Sequence, residues 1–332
     1  MILPSGQFPL FADLVRGKKC VLIGALSFEE RCCSLPTTVG SGNAQNKIVL
    51  FKIKDPVDGF PNYSHEIERR IETNRDLLNS RRIEFDEIPT DLLVSEDDLS
   101  DMLQIFKSNR STLYILDVTS LPKRYFCYFL KHLIRREWCQ DLLVTYTMVG
   151  PEGYSAQHLT ASPMTCAPLP GFSSAWQIGG DTLVISLGFE SLNVRSILDV
   201  YPKQRGPKIL MSFPCSTAVI RRQWNMLRQI FSKGQISLLK EDIKSVATWD
   251  AEEVFITLKY WEKECDSLAL APFGTKPHSL GLALYAIQSG SGMYYTQPKS
   301  YNPDYSKGTG ESWGYLVKYE GIPCFDRPRH RL

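Results

Sequence analysis

Short apolar runs alternate with amphipathic stretches along most of the chain. Cys20 to Leu26 is an apolar run of strand length, and Lys47 to Ile53 alternates like a second strand. Between them, residues 34–46, "SLPTTVGSGNAQN", read as a polar loop bearing Gly and Pro. After Asn62, Ile67, Ile71, Leu77 and Leu78 fall on a helical period, with charge on the other face. Ile83 to Ile88 is a short strand and Glu96 to Lys107 a helix. "STLYILDV" from Ser111 is a central strand, Leu121 to Trp138 an aromatic-rich helix, and Leu142 to Val149 another strand.

Periodicity then stops. Residues 150–181 are rich in Gly and Pro and read as a linker or hairpin excursion. The alternation resumes with a strand at Thr182 to Leu187 and a helix from about Ser191. Next come a strand in "PKILMSFPC", a helix in "STAVIRRQWNMLRQIFSKG", a short strand in "SVATWD" and, at Glu252 to Glu264, a segment that is either helical or mixed. "SLALAPFG" is a buried strand, "HSLGLALYAIQSG" a helix and "GMYYTQP" a last strand.

The expected fold class is α/β: two tandem Rossmann-like units with mostly parallel sheets. The expected domains are 1–149, the linker 150–181, and 182–332, the last ending in an aromatic loop. Each half opens with a strand ending in a small residue, Phe and Glu: Ser27-Phe28-Glu29, and Gly188-Phe189-Glu190. Each later has a central strand that runs into a Thr-and-Lys turn and a helix, "YILDVTSLPKRYF" and "LALAPFGTKPHSL". Two paired signposts point to an internal duplication. The alternative is two unrelated units that share common strand-turn-helix chemistry.

Composition narrows the function classes. Of 332 residues, 38 are basic and 36 acidic, and this net charge of +2 does not indicate long nucleic acid. The nine cysteines are scattered with no CxxC, which reads as reduced thiols in a cytoplasmic protein. No signal peptide and no apolar stretch of membrane-spanning length are present, so no membrane association is expected.

In an open α/β sheet, ligands collect beyond the carboxyl ends of the strands, where helix N-termini present free N–H groups. The paired turns belong at that edge. Ser27, Thr119, Ser120 and Thr275 supply hydroxyls, and Lys123 and Lys276 supply cations for an anion. Glu29 and Glu190 are either ligand-contacting acids or structural first-turn acids. Phe28 and Phe189 belong to the core or stack on a base, and Thr119 and Thr275 have the plain alternative of an N-cap. Asp117 ends an otherwise apolar strand, so it is partnered or poised for chemistry; Ala271 stands at the corresponding place in the second half. His278 opens a helix and is a candidate donor, with no partner identifiable from spacing. Tyr301 and Tyr305 lie in a tail loop, Ser300 to Gly310, suited to base stacking or a partner interface. Neither GxGxxG nor GxxxxGK[ST] occurs, and no cofactor or metal site is implied.

At "DVTSLPK" (Asp117–Lys123) and "APFGTKPHSLGLAL" (Ala271–Leu284) the sequence resembles the CRISPR-associated Rossmann-like (CARF-type) sensor domains and related bacterial antiviral-defence proteins. The Phe-Glu pair is not that family's usual first-loop signature. The resemblance implies a cyclic-oligonucleotide type of ligand, held by Ser27, Phe28 and Glu29 in one loop and Thr119, Ser120 and Lys123 in another. Gly188, Phe189, Glu190, Thr275 and Lys276 would repeat these, often with the pocket between two domains.

Three functions follow as expectations. The first is a nucleotide-type ligand sensor with its pocket between the halves, lined by both paired turns, acting on a partner protein or a separate effector; the partner expected is another protein or a homo-oligomer. The second is a nucleotide or nucleoside hydrolase using Asp117, Glu29 or Glu190. The third is a scaffolding component of a defence complex.

Overall fold

A computed structural model describes residues 3–41, 45–54, 61–150, 153–154, 160–164, 166–173, 181–188, 194–200, 206–213, 217–232 and 240–326. Contacts divide the chain into Met1–Ser155 with Asn302–Leu332, and Ala156–Tyr301.

The first unit runs through β1 (Ser5–Gln7), α1 (Ala12–Arg16), β2 (Cys20–Ala25), α2 (Ser34–Gly40), β3 (Lys47–Lys54), α3 (Pro61–Ser80) and β4 (Asp86–Asp91). It continues through α4 (Glu96–Phe106), β5 (Leu113–Asp117), α5 (Lys123–Arg135) and β6 (Asp141–Val149). The chain then forms the second unit: β7 (Thr160–Pro163), β8 (Ala167–Pro168), β9 (Asp181–Leu187), α6 (Val194–Val200), β10 (Lys208–Phe213) and α7 (Thr217–Ser232). That unit is completed by β11 (Ile243–Ala247), α8 (Ala251–Trp261), β12 (Ser267–Pro272), α9 (Lys276–Ser289), β13 (Tyr294–Tyr295) and β14 (Pro298–Tyr301). The chain returns to the first unit as β15 (Thr309–Tyr319) and β16 (Ile322–Pro323).

The first sheet has the order β1-β15-β6-β5-β2-β3-β4, with β16 on β15. Strands β2 to β6 pair in parallel, and β15 is antiparallel to both β6 and β1. Every residue of β2 and β5 is buried, as strands covered on both faces require. One face packs Leu22, Leu50 and Ile115 against Leu35 and Val39 of α2 and Ile71 and Leu78 of α3. On the other, Phe51 meets Phe106 of α4 and Phe129 of α5, with ring centroids 5.9 and 5.5 Å away. The second sheet has the order β11-β10-β9-β12, all parallel. Counted along the chain, the parallel strands run 3-2-1-4-5 in the first unit and 3-2-1-4 in the second. Both orders reverse between the first and fourth strands, as in doubly wound sheets.

Several expectations change. Residues 302–332 belong to the first unit, not the second, because β15 adds to β6. The sequence disguises β15 with Gly310, Ser312 and Gly314. Gly314 is there for space: a Cβ would stand 2.6 Å from the Phe11 ring and 3.3 Å from Leu143. Ser34–Gly40, expected as loop, is helix α2; it buries Leu35 and Val39, four apart, and tolerates Pro36 in its first turn. The strand expected at 83–88 is β4 at Asp86–Asp91, while of the two readings left open at 252–264 the helical one holds, as α8. Ser300 and Tyr301, expected in a loop, lie in β14, paired with β7.

Candidate functional site

In the first unit the strand order reverses between β2 and β5, so the turns after those two strands flank the switch point. Ser120 Oγ donates to the Ala25 carbonyl at 3.2 Å and ties the turn after β5 to the end of β2. The first turn is held from α3, the Ser27 carbonyl accepting from Asn74 Nδ2 at 2.8 Å. Asp117, 3 % exposed, ends β5. Its Oδ1 accepts from the backbone N–H and the hydroxyl of Thr119, and from Thr145 Oγ1 at 3.4 Å. Thr119 Oγ1 in turn accepts from the Thr147 N–H at 2.8 Å. Lys123, buried, is the first residue of α5.

The same edge holds a buried cation that the sequence reading missed. Arg31 is 4 % exposed. Its Nε donates to Glu29 Oε2 at 2.7 Å, and Nη2 pairs with the same oxygen and donates to the Tyr305 hydroxyl at 3.2 Å. Nη1 donates to the Tyr146 hydroxyl at 3.2 Å and the Thr147 carbonyl at 3.1 Å. All five guanidinium N–H groups thus have acceptors. Burial works against the charge, but Glu29, then Tyr146, Tyr305 and Tyr154, hold the Arg31 pKa well above its usual value. Burial, reinforced by Glu29, pushes the Tyr305 hydroxyl up. Tyr305 stacks on Tyr154, centroids 5.9 Å apart, and meets Phe28 edge-on at 6.3 Å. Ser306 Oγ donates to Glu29 Oε2 at 3.2 Å, and Arg70 of α3 pairs with Asp304.

The first unit therefore brings Ser27, Phe28, Glu29, Asp117, Thr119, Ser120, Lys123 and Tyr305 to one edge. It adds Arg31, Asn74, Thr145, Tyr146, Thr147 and Tyr154, which sequence reasoning did not select. A signal was present for three of these: Thr145-Tyr146-Thr147 is a polar run inside an apolar strand. A cavity of ≈ 520 Å³ lies elsewhere, at the amino ends of β2, β5 and β6, lined by Lys18, Lys19, Arg110 and Asp141 among others. Lys18 pairs there with Asp141, and Arg110 with Glu137 at 3.8 Å. The switch-point side chains, by contrast, are bonded to one another.

In the second unit Phe189 and Glu190 lie outside the described residues. At this unit's reversal, between β9 and β12, two glycines set the spacing. A Cβ on Gly188 would stand 2.4 Å from the Phe273 carbonyl oxygen, and one on Gly274 2.1 Å from Ser186 Oγ. Thr275 is the N-cap of α9, its hydroxyl accepting from the His278 N–H at 3.3 Å and donating to the Thr248 carbonyl at 2.9 Å. Thr119 caps nothing and stands well before its helix, so the two threonines differ in role. Lys276, like Lys123, is the first residue of its helix. His278 is fully buried and has partners after all. Nε2 lies 2.9 Å from the Ala247 carbonyl, and Nδ1 lies 3.3 Å from both Ser186 Oγ and Ser212 Oγ. The carbonyl can only accept, which assigns the proton to Nε2 and leaves Nδ1 to accept from a serine. The Tyr301 hydroxyl accepts from Gln297 Nε2 at 3.2 Å, within the β7–β14 region of the second unit. Tyr301 and Tyr305 thus belong to different units.

Among the described residues, no cluster of three His, Cys, Asp or Glu is placed to hold a metal ion, and no helix is long and apolar enough to cross a membrane. No family model matches the chain, and no curated protein matches it in sequence.

Proposed function

We propose that the carboxyl edge of the first sheet binds a nucleotide-type ligand and acts as a sensor, and that the two units are copies of one ancestral unit. The observation that carries the first reading is the Ser120–Ala25 hydrogen bond, which ties the hydroxyl-bearing turn after β5 to the carboxyl end of β2 across the strand-order reversal. Behind it, α5 opens with a lysine. Its N-terminal N–H groups favour an anion there.

Support for the duplication is the shared strand order and its register. Phe28 lies five residues after Ile23, which pairs with Leu116; Phe189 lies five after Val184, which pairs with Leu270. Asp117 then corresponds to Ala271, so an acid at this position belongs to the first unit alone.

Calorimetry against mono-, di- and cyclic nucleotides tests the binding. Replacing Lys123 with Ala removes one charge-assisted contact, an expected loss of about 1.5–3 kcal/mol, or ten- to a hundredfold in affinity. Unchanged affinity in a folded Lys123→Ala protein would rule this pocket out.

A hydrolase is the second reading, favoured by the placement of Asp117. Three donors fix its Oδ1 at the carboxyl end of β5, beside the switch point. Incubation with the same nucleotides decides between the two. A sensor returns them intact, whereas a hydrolase gives product that disappears in Asp117→Asn at unchanged melting temperature.

A further inference from the structure

Helix α7 presents two different faces. Val219, Gln223, Met226 and Leu227 are buried, and Met226 and Leu227 pack with α6 and β9. At about 100° per residue, Arg221, Trp224, Asn225 and Arg228 fall together on the opposite side. All four are exposed, and Trp224 leaves 54 % of its surface in solvent. No Asp or Glu occurs anywhere in α7, "TAVIRRQWNMLRQIFS". Among the described residues, neither Arg221 nor Arg228 has an ion-pair partner.

An indole held between two unpaired guanidinium groups is the chemistry that recognises one unstacked base with a phosphate on each side. Seven residues of helix separate the arginines by about 10 Å along the axis, with Trp224 between them. A duplex buries its base faces and would leave the indole idle. An acidic peptide would engage the arginines and likewise have no use for Trp224. Among the described side chains, Arg221, Trp224, Asn225 and Arg228 are the exposed ones around the indole, a polar setting that does not suit an apolar partner helix.

We propose that this face of α7 binds single-stranded nucleic acid, Trp224 stacking on a base while Arg221 and Arg228 hold the flanking phosphates. This face belongs to the second unit and the switch-point turns to the first, and its test does not depend on those turns. The net charge of +2 does not conflict with it, because the charge that matters is local.

The test is fluorescence anisotropy of a short labelled oligothymidylate with the full chain at low and moderate salt. Trp224→Ala should weaken binding roughly five- to 150-fold, and Trp224→Phe should restore most of it. Arg221→Ala and Arg228→Ala should each flatten the log–log salt dependence by about 0.7. Absence of binding at low salt overturns the proposal. So does equal binding of the duplex, or displacement by polyglutamate together with an unaffected Trp224→Ala variant.

Discussion

Removing Glu29 leaves a charged guanidinium in a site that excludes water. Arg31 is 4 % exposed, and Glu29 supplies the only carboxylate among its hydrogen-bond acceptors, the rest being two tyrosine hydroxyls and the Thr147 carbonyl. Breaking a buried pair from one side costs about 3–5 kcal/mol, because the remaining charge stays desolvated. Glu29→Ala should therefore lose stability on that scale, and Arg31→Met should do the same. In the double variant Glu29→Ala/Arg31→Met no charge is stranded, although Tyr146, Thr147 and Tyr305 still lose a donor. Its loss should fall at least about 2 kcal/mol short of the sum of the two single losses. Urea unfolding, followed by far-UV circular dichroism and by tryptophan fluorescence, measures this where the two transitions coincide. Additive losses, or a Glu29→Ala cost below about 1 kcal/mol, would mean that solvent reaches the pair and the reasoning fails.

His132 in the last turn of α5 has its pKa lowered by burial, then by Arg136, Lys131 and Arg135. The unfolded chain therefore binds this proton more readily. The stabilising contribution is full above the usual value of 6.5 and is lost as pH falls below it. His132→Gln should flatten the stability profile just below that pH, and an unchanged slope in urea titrations would assign the effect elsewhere. Gly314→Ala pushes a methyl into the Phe11 ring, and differential scanning calorimetry should show a loss of about 1–3 kcal/mol. Thr275→Ala removes the α9 cap, an expected cost of about 1 kcal/mol in urea unfolding, and Thr275→Ser should recover most of it.

Much of the strand and helix order was legible because strands covered on both faces are unbroken apolar runs. Cys20–Ala25 and Leu113–Asp117 leave little room for another reading. The turns after β2, β5 and β12 could likewise be placed at the carboxyl edge by their sequence positions alone, since each directly follows such a run. What could not be read depends on distant contacts. Gly314 resembles a loop residue until Phe11 is known to lie over it. Pro36 looks like a breaker until it falls in a first turn. Arg31 sits in a polar turn and reads as solvated; only β6 and residues 302–306, far away in sequence, make it a buried cation. Thr119 and Thr275 look equivalent in their motifs, yet only one caps a helix.

The nesting of the second unit between β6 and β15 bears on how the protein is made. On the ribosome β6 is complete long before β15 exists, and Val149 must wait for Thr309, about 160 positions later. Until then the outer edge of a largely apolar strand has no partner within its own sheet, a template for misassociation with other nascent chains. An unstructured span of that length would also add about 2.5 kcal/mol of closure entropy over a ten-residue connection. The second unit removes most of that burden, because it draws its own ends together: Thr160 pairs with Tyr301, and Ala161 with Ser300. Once it has folded, the chain between β6 and β15 behaves as a short connection. Early folding of the inserted unit thus assists its host's last long-range pairing.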